Sequence, residues 1–322
     1  MKAAVYRRYG PPEVLRIEEV EKPVHGSTDV FIRVHATTVN RTDCGFRKPE
    51  YPLLIRPING LFRPGKRILG NEFAGVIEST GKDVTAFRTG DRVFGLSASK
   101  FGAHAEYLVM PESGSLTIMP SKASFDEAAA VCDGLMLGIN YIREIDFGSE
   151  RSILINGASG SIGSACVQLA KMNGARITGV CDTRNLELVK SLGAERVIDY
   201  TKDDFTKDGH EYDVVIDAVG KSSFFKCRKL LRPGGFYFST ELGFLGQNVF
   251  LSLITPLFRG RRVGFPLPKD SREDIILFRE LLDEGTYRAV IDRRYPLEEI
   301  VEATRYVESG QKAGSVVITI HG

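Results

Sequence analysis

Three glycines spaced three apart, Gly157, Gly160 and Gly163, fall inside the stretch SILINGASGSIGSACVQLA, after a continuous apolar run and at the start of a helical pattern. Residues of this type in this place suit phosphate binding. A glycine turn brings backbone N–H groups close to a pyrophosphate, and the N-terminus of the following helix favours its charge. The spacing is G-x-x-G-x-x-G, with Ala158 and Ser159 in the turn and Ser161 and Ile162 before the last glycine. A lone triplet is weak evidence; the strand before it, the helix after it and the ~30-residue repeat of the unit make it specific.

Downstream, GVCDTRNLELVK sets two opposed signals side by side. Asp182, 19 residues past Gly163, stands where an acid accepts hydrogen bonds from an unphosphorylated ribose and repels a 2′-phosphate. Arg184, with Thr183 and Asn185 as further donors, would pair with that phosphate. The residues alone therefore leave NADP(H) and NAD(H) both open.

These groups require a parallel sheet to hold them. SILIN is a buried strand, SIGSACVQLAKMNGA a helix ended by Gly174, RITGVC a second strand, NLELVKSLGA a second helix and RVID a third strand. YDVVIDAVG, the helix SFFKCRKLLRPGG and the strand FYFST continue the alternation, which predicts a doubly wound α/β domain. The first ~120 residues differ: short β-branched runs punctuated by Gly and Pro predict closely spaced antiparallel strands. SFDEAAAVCDGLMLGINYIREI opens with a capping-box pattern, Ser124 and Glu127. The segment LLIRPINGLFRPGKRIL, with Pro57, Gly60, Pro64 and Gly65, is expected to be loop-like. The expected division is 1–122, 123–261 for the dinucleotide domain, and 262–322 returning to complete the first domain through the strand SVVITI.

At 322 residues with a formal charge of +2, the chain lacks the concentrated basic footprint that nucleic-acid binding needs. Cys44, Cys132, Cys166, Cys181 and Cys227 form no C-x-x-C pair, which argues against disulfides and structural zinc and points to a reducing, cytoplasmic compartment. The histidines His25, His35, His104, His210 and His321 are dispersed, without paired ligand spacing. No signal peptide is evident, and the apolar stretch 242–258 is too short and too interrupted to span a bilayer. It is expected to be a core or interface segment.

The motifs MKAAVY, GNEFAGVIESTGKDVTAFRTGDRVFG, GAHAEYLVMP, GASGSIGSACVQLAK, SLGAERVIDY and KAGSVVI together resemble the medium-chain dehydrogenase/reductase superfamily, in particular its zinc-free quinone oxidoreductase-like branch. That resemblance implies a GroES-like, mainly β domain beside a Rossmann domain, with the active site in the cleft and a homodimer or homotetramer as the assembly. It also allows zinc to be tested by position. Zinc-using relatives carry ligands where this chain has Asn40, Asn71 and, by approximate alignment, Asp133 or Cys132. Carboxamides are poor zinc donors, so no metal site is expected.

The same resemblance places Asn40 near the nicotinamide and Tyr51 in the cleft as a donor to substrate oxygen. Tyr200 is a candidate for stacking on adenine, and Ala218, Val219 and Gly220 should pass beside the cofactor at the carboxyl ends of the strands. TRN after the second strand is similar to 2′-phosphate-binding sequences of the branch, which tilts the choice slightly to NADP(H). The expected function is hydride delivery to quinones or α,β-unsaturated carbonyls. The rival expectations are an alcohol dehydrogenase with atypical metal ligands and a non-catalytic dinucleotide-binding regulatory protein.

Overall fold

The computed structural model describes residues 1–49, 52–147, 151–258, 260–266 and 269–321. Its strands are β1 (Lys2–Val5), β2 (Arg16–Glu19), β3 (Asp29–Val39), β4 (Glu72–Thr80), β5 (Arg92–Leu96), β6 (Tyr107–Pro111), β7 (Leu116–Ile118), β8 (Ser152–Asn156), β9 (Arg176–Cys181), β10 (Arg196–Asp199), β11 (Tyr212–Asp217), β12 (Leu231–Ser239), β13 (Arg262–Gly264), β14 (Ile291–Pro296) and β15 (Ser315–Thr319). The helices are α1 (Arg41–Arg47), α2 (Pro52–Asn59), α3 (Phe125–Ala130), α4 (Cys132–Ile142), α5 (Ser161–Met172), α6 (Leu186–Ser191), α7 (Phe224–Cys227), α8 (Gln247–Ile254), α9 (Arg272–Asp283) and α10 (Ile300–Glu308). They divide into one unit of residues Met1–Asp133 with Asp270–Gly322 and a second of Gly134–Lys269.

The first unit is organised by β3. Its alternating residues Val30, Ile32 and Val34 are fully buried against Phe73, Ile77 and Val93. Register shifts after Phe31 and Val34 bend the strand. One edge of it therefore pairs β6 over residues 29–33 and β15 over residues 36–39, while the other pairs β4. The C-terminal strand β15 thus lies directly beside an N-terminal one.

The second unit is a parallel sheet in the order β10-β9-β8-β11-β12-β13. Strand order reverses at β8, the first strand of this sheet, whose neighbours are β9 and β11; ligands bind beside such a switch point, outside the carboxyl ends of the strands. Ile153, Leu154, Ile155, Val215 and Ile216 are wholly buried, as expected where helices cover both faces.

Four expectations shift. The helix opened by Ser124 has its capping box, but Ala128, Ala129 and Ala130 pack on β3, β4 and β15. Residues 123–133 therefore belong with the β-rich unit rather than the dinucleotide domain. Strand β13 pairs β12 in parallel, so the second unit runs past 261. Residues 52–59 form helix α2 rather than loop: Pro52 sits at its first position and Gly60, with φ +118, just beyond its end, places where these residues delimit a helix. Finally, Pro233 and Gly234 lie inside β12, in the irregular stretch between the Tyr212 and Val214 pairings, instead of closing the preceding helix.

Candidate functional site

The glycine turn begins where β8 ends. Gly157 and Ala158 donate their amides to Val180 O at 3.0 and 2.9 Å, and Gly160 N to Gly157 O at 3.0 Å. Gly157 has φ +80, and a Cβ there would fall 2.4 Å from Val219 Cγ1. At Gly163 a Cβ would fall 2.1 Å from Gly157 O. These two glycines are thus required by the fold. Gly160 is different: nothing lies nearer than 3.5 Å to its added Cβ, so its surroundings leave space at the N-terminus of α5. Ser159, Ser161 and Ile162 are half-buried around it, whereas the Ala158 side chain is fully buried beneath the turn. The amides of the first turn of α5 and its dipole suit a diphosphate.

At the end of β9, Asp182 accepts from Arg184 Nη2 at 2.6 Å and Nε at 3.0 Å, and from Asn185 Nδ2 at 2.6 Å. Thr183 Oγ1 donates to Asp199 Oδ2 at 2.5 Å. That bond, with those from Thr201, holds the Asp199 carboxyl down at about 2. Tyr200 follows and is half-exposed at 54%. At the end of β11, Ala218 is buried, Val219 is partly exposed and Gly220 has φ +63.

Asp217 shapes this last loop and was not singled out from the sequence. It is fully buried and accepts from Asn156 Nδ2 at 2.9 Å, Ser222 N at 2.7 Å and Tyr237 Oη at 3.3 Å. Its one visible signal is an acid closing the otherwise apolar run YDVVID. The turn residues Gly157–Gly163, the 182–185 turn and the 218–220 loop all belong to the second unit.

Asn40 lies in the first unit. It caps α1: its Oδ1 accepts from Asp43 N at 3.1 Å, and Asp43 Oδ2 accepts from Asn40 N at 3.0 Å. Its Nδ2 donates to Asn71 Oδ1 at 2.7 Å and to Glu72 Oε2 at 3.2 Å. Glu72 also accepts from Thr38 Oγ1 and, through Oε1, from Asp133 N at 2.7 Å. Asn71 in turn hydrogen-bonds the Asp133 carboxyl. Beside them His104 Nε2 meets Thr38 O at 2.8 Å and lies 3.8 Å from Asp43 Oδ2.

This cluster is dry and crowded with acids. Burial first, then repulsion by Asp133, pushes Glu72 up. Burial and then the Asp43 charge push Asp133 up, and burial raises Asp43 against the pull of His104. Lys312, half-buried just before β15, is pushed down by burial while Asp133 and Glu72 draw it the other way. Thr38, His104 and Lys312 escaped the sequence because Thr38 on β3, Lys312 before β15 and His104, held by backbone bonds with Leu69 and Ala4, come together only in the folded chain.

A tetrahedral catalytic zinc needs three imidazole, thiolate or carboxylate donors and an open position. Asn40 Nδ2 instead donates to Asn71 Oδ1, and Glu72 already accepts from Thr38, Asn40 and the Asp133 amide. Among the described residues no group of three His, Cys, Asp or Glu is arranged to hold a metal. The donor set does not fit zinc. Tyr51, the expected oxygen donor, lies outside the described residues.

Residues 26–121 match the alcohol dehydrogenase GroES-like domain family, and residues 192–318 match a family described as zinc-binding dehydrogenase. The chain is 31% identical to the 2-methylene-furan-3-one reductase of Solanum lycopersicum, over 99% of this chain and 79% of that protein. It is 30% identical to the chloroplastic NADPH-dependent alkenal/one oxidoreductase of Arabidopsis thaliana, again over 99% and 79%. Among solved structures, the quinone oxidoreductase from Coxiella burnetii superposes with a TM-score of 0.89 at 26% identity, covering 100% of this chain and 99% of that one.

Proposed function

Because the chain belongs to the medium-chain dehydrogenase/reductase superfamily, in its quinone oxidoreductase-like branch, we propose that it is a zinc-independent NAD(P)H-dependent reductase of quinones or α,β-unsaturated carbonyls. The observation that carries this reading is the 2.7 Å bond between Asn40 Nδ2 and Asn71 Oδ1. Alcohol oxidation must remove a hydroxyl proton, which zinc makes feasible by lowering the pKa of a bound oxygen from about 15.7 to about 7. A pair of neutral carboxamides offers no such help. Reduction of a conjugated acceptor needs none, because the charge left by hydride spreads onto a conjugated oxygen and a hydrogen-bond donor suffices.

When bound, NAD(P)H supplies the hydride. The turn Gly157–Gly163 and the first amides of α5 would hold its diphosphate, Ala218, Val219 and Gly220 would border it, and Tyr200 would meet its adenine. NADP(H) is the favoured form because Arg184 and Asn185, at the end of β9, would supply donors to a 2′-phosphate. Asn40 is kept in one orientation by Asp43, Asn71 and Glu72, which suits a group that positions the nicotinamide end. The family resemblance makes Tyr51 the candidate donor to the acceptor oxygen. The names of two relatives, an alkenal/one oxidoreductase and a methylene-furanone reductase, support a conjugated carbonyl as the acceptor.

A homodimer or homotetramer is part of the proposal. It is supported by the open edge strand β13 and by the outward face of α8, where Val249, Phe250 and Leu253 are exposed at 37%, 63% and 72%. The five cysteines, all free and buried, support a reducing, cytoplasmic setting. No helix among the described residues is long and apolar enough to cross a membrane.

The test is turnover. NADPH oxidation should be measured with 1,2-naphthoquinone, a conjugated enone and the corresponding saturated ketone. Oxidation with the first two and none with the third is expected. Activity on the saturated ketone alone, or on none of them, would sink the proposal.

A further inference from the structure

Helix α2 is turned inside out. A surface helix ordinarily buries its apolar stripe and shows its polar face to water. In α2 the residue driven inward is Asn59, 2% exposed, while Leu53 is 91% exposed and Leu54 and Ile58, one turn apart on a shared face, are exposed as well. Just past the helix Leu61 is exposed and Phe62 is 88% exposed. Large apolar side chains gathered on a surface in this way mark a place that meets something other than water.

This display is held in place from beneath. Asn59 Nδ2 donates to Tyr6 Oη at 2.9 Å, Asn59 Oδ1 accepts from Lys66 N at 3.0 Å, and the Asn59 carbonyl accepts from Gly65 N. Tyr9 Oη donates to Gly60 O at 2.7 Å, and Pro64 is buried. These contacts close the loop 59–66, so Leu61 and Phe62 stand on an anchored turn rather than a frayed end.

Charge says what covers the face. From 51 to 67 the chain carries Arg56, Arg63, Lys66 and Arg67 and no acid. Arg63, next to Phe62 in the chain, also lines a hollow of about 370 Å³ together with Arg7, Arg8, Arg16, Glu13 and Glu18. Glu18 is engaged by Arg7 and Glu13 by Arg305, which leaves Arg8 and Arg63 without an ion pair among the described residues. A second copy of this chain is a poor occupant, because a two-fold contact sets a patch against itself and would bring these cations together. The exposed face of α8 is the contrast: residues 242–258 carry no charge, so self-contact there meets no such repulsion. Apolar tips beside cations suit an anionic bilayer, where the tips enter the headgroup boundary and each nearby Lys or Arg strengthens binding about fivefold.

We infer that α2 and the loop after it dock the protein on an anionic lipid surface: Leu53, Ile58, Leu61 and Phe62 enter the acyl boundary while Arg8 and Arg63 meet lipid phosphates. This inference stands apart from the reductase reading and uses none of its site residues.

Flotation of the full chain with lipid vesicles tests it. Vesicles of equal parts phosphatidylglycerol and phosphatidylcholine should carry the protein upward, vesicles of phosphatidylcholine alone should not, and salt of about 0.5 M should weaken the binding by screening. Leu61→Ser combined with Phe62→Ser removes the apolar tips, and Arg63→Glu reverses one charge. Each variant should bind the anionic vesicles about tenfold or more weakly, with an unchanged thermal midpoint because these side chains are exposed. Wild type that fails to float with anionic vesicles, floats equally with phosphatidylcholine alone, or floats no better than both variants overturns the inference. A Leu61→Ser, Phe62→Ser variant that sediments without lipid as a smaller assembly than wild type would identify a second copy as the occupant and overturn it too.

Discussion

Asn40 Nδ2 and Asn71 Oδ1, 31 positions apart in the chain, meet at 2.7 Å. The end of β3 and the start of β4 bring them together, and the contact links the cap of α1 to the acids Glu72 and Asp133. The chemistry of this corner follows from that contact: two neutral carboxamides are tied into a hydrogen-bonded network with buried acids.

Removing one end of the network should be costly. Asn40→Ala deletes an N-cap, worth about 0.5–2 kcal/mol, and strips a donor from buried Asn71 and Glu72, worth about 1–3 kcal/mol more. Urea unfolding should show a midpoint lowered accordingly. An unchanged midpoint would mean that the network contributes nothing to the fold.

The stability of the protein should fall as pH rises through neutrality. Glu72 is raised by burial from its ordinary 4.5 to about 8, so the folded state holds a proton that the unfolded chain releases. The stabilisation is complete below pH about 4.5 and is lost as pH climbs towards about 8. Glu72→Gln, neutral throughout, should show a flatter stability profile over that window. Parallel profiles for the two proteins would contradict the assignment.

Two glycine variants separate architecture from binding. Gly163→Ala drives a Cβ to 2.1 Å from Gly157 O and should destabilise by about 1–3 kcal/mol. Gly160→Ala has room for its methyl and should cost less than about 1 kcal/mol, yet weaken NADPH binding by about tenfold or more because a phosphate must approach there. Thermal unfolding and calorimetric titration of both variants give the comparison.

Much of this was legible from the residues. Continuous apolar strands, capped helices and the glycine spacing announce the doubly wound unit, because each is a local rule of backbone geometry. The carboxamides at 40 and 71 announce poor metal donors, because chemistry resides in residue type. Tertiary partners were hidden. Lys312 joins the acids through the pairing of β15, His104 through backbone bonds with Leu69 and Ala4, and α3 joins the β-rich unit because its alanine face finds β3, β4 and β15. Pro57 and Gly60 resemble loop residues until helix α2 is seen to include the one and end before the other. The mutual engagement of Asp182 and Arg184 was equally invisible, since residue types do not say which rotamers meet.

Thiol chemistry offers an independent check on burial. All five cysteines are free and buried, and burial pushes Cys44, Cys166 and Cys181 up to about 12. A thiol reagent should react negligibly with native protein and with all five after denaturation. Rapid reaction in the native state would show that this packing is not held in solution.

Zinc independence is decided by one titration. Protein dialysed against chelator until zinc falls well below one equivalent should reduce a conjugated enone with NADPH at its original rate, and added zinc should not raise that rate. Loss of activity on zinc removal, with recovery on adding one equivalent back, would contradict the assignment of Asn40, Asn71, Glu72 and Asp133 to a metal-free network.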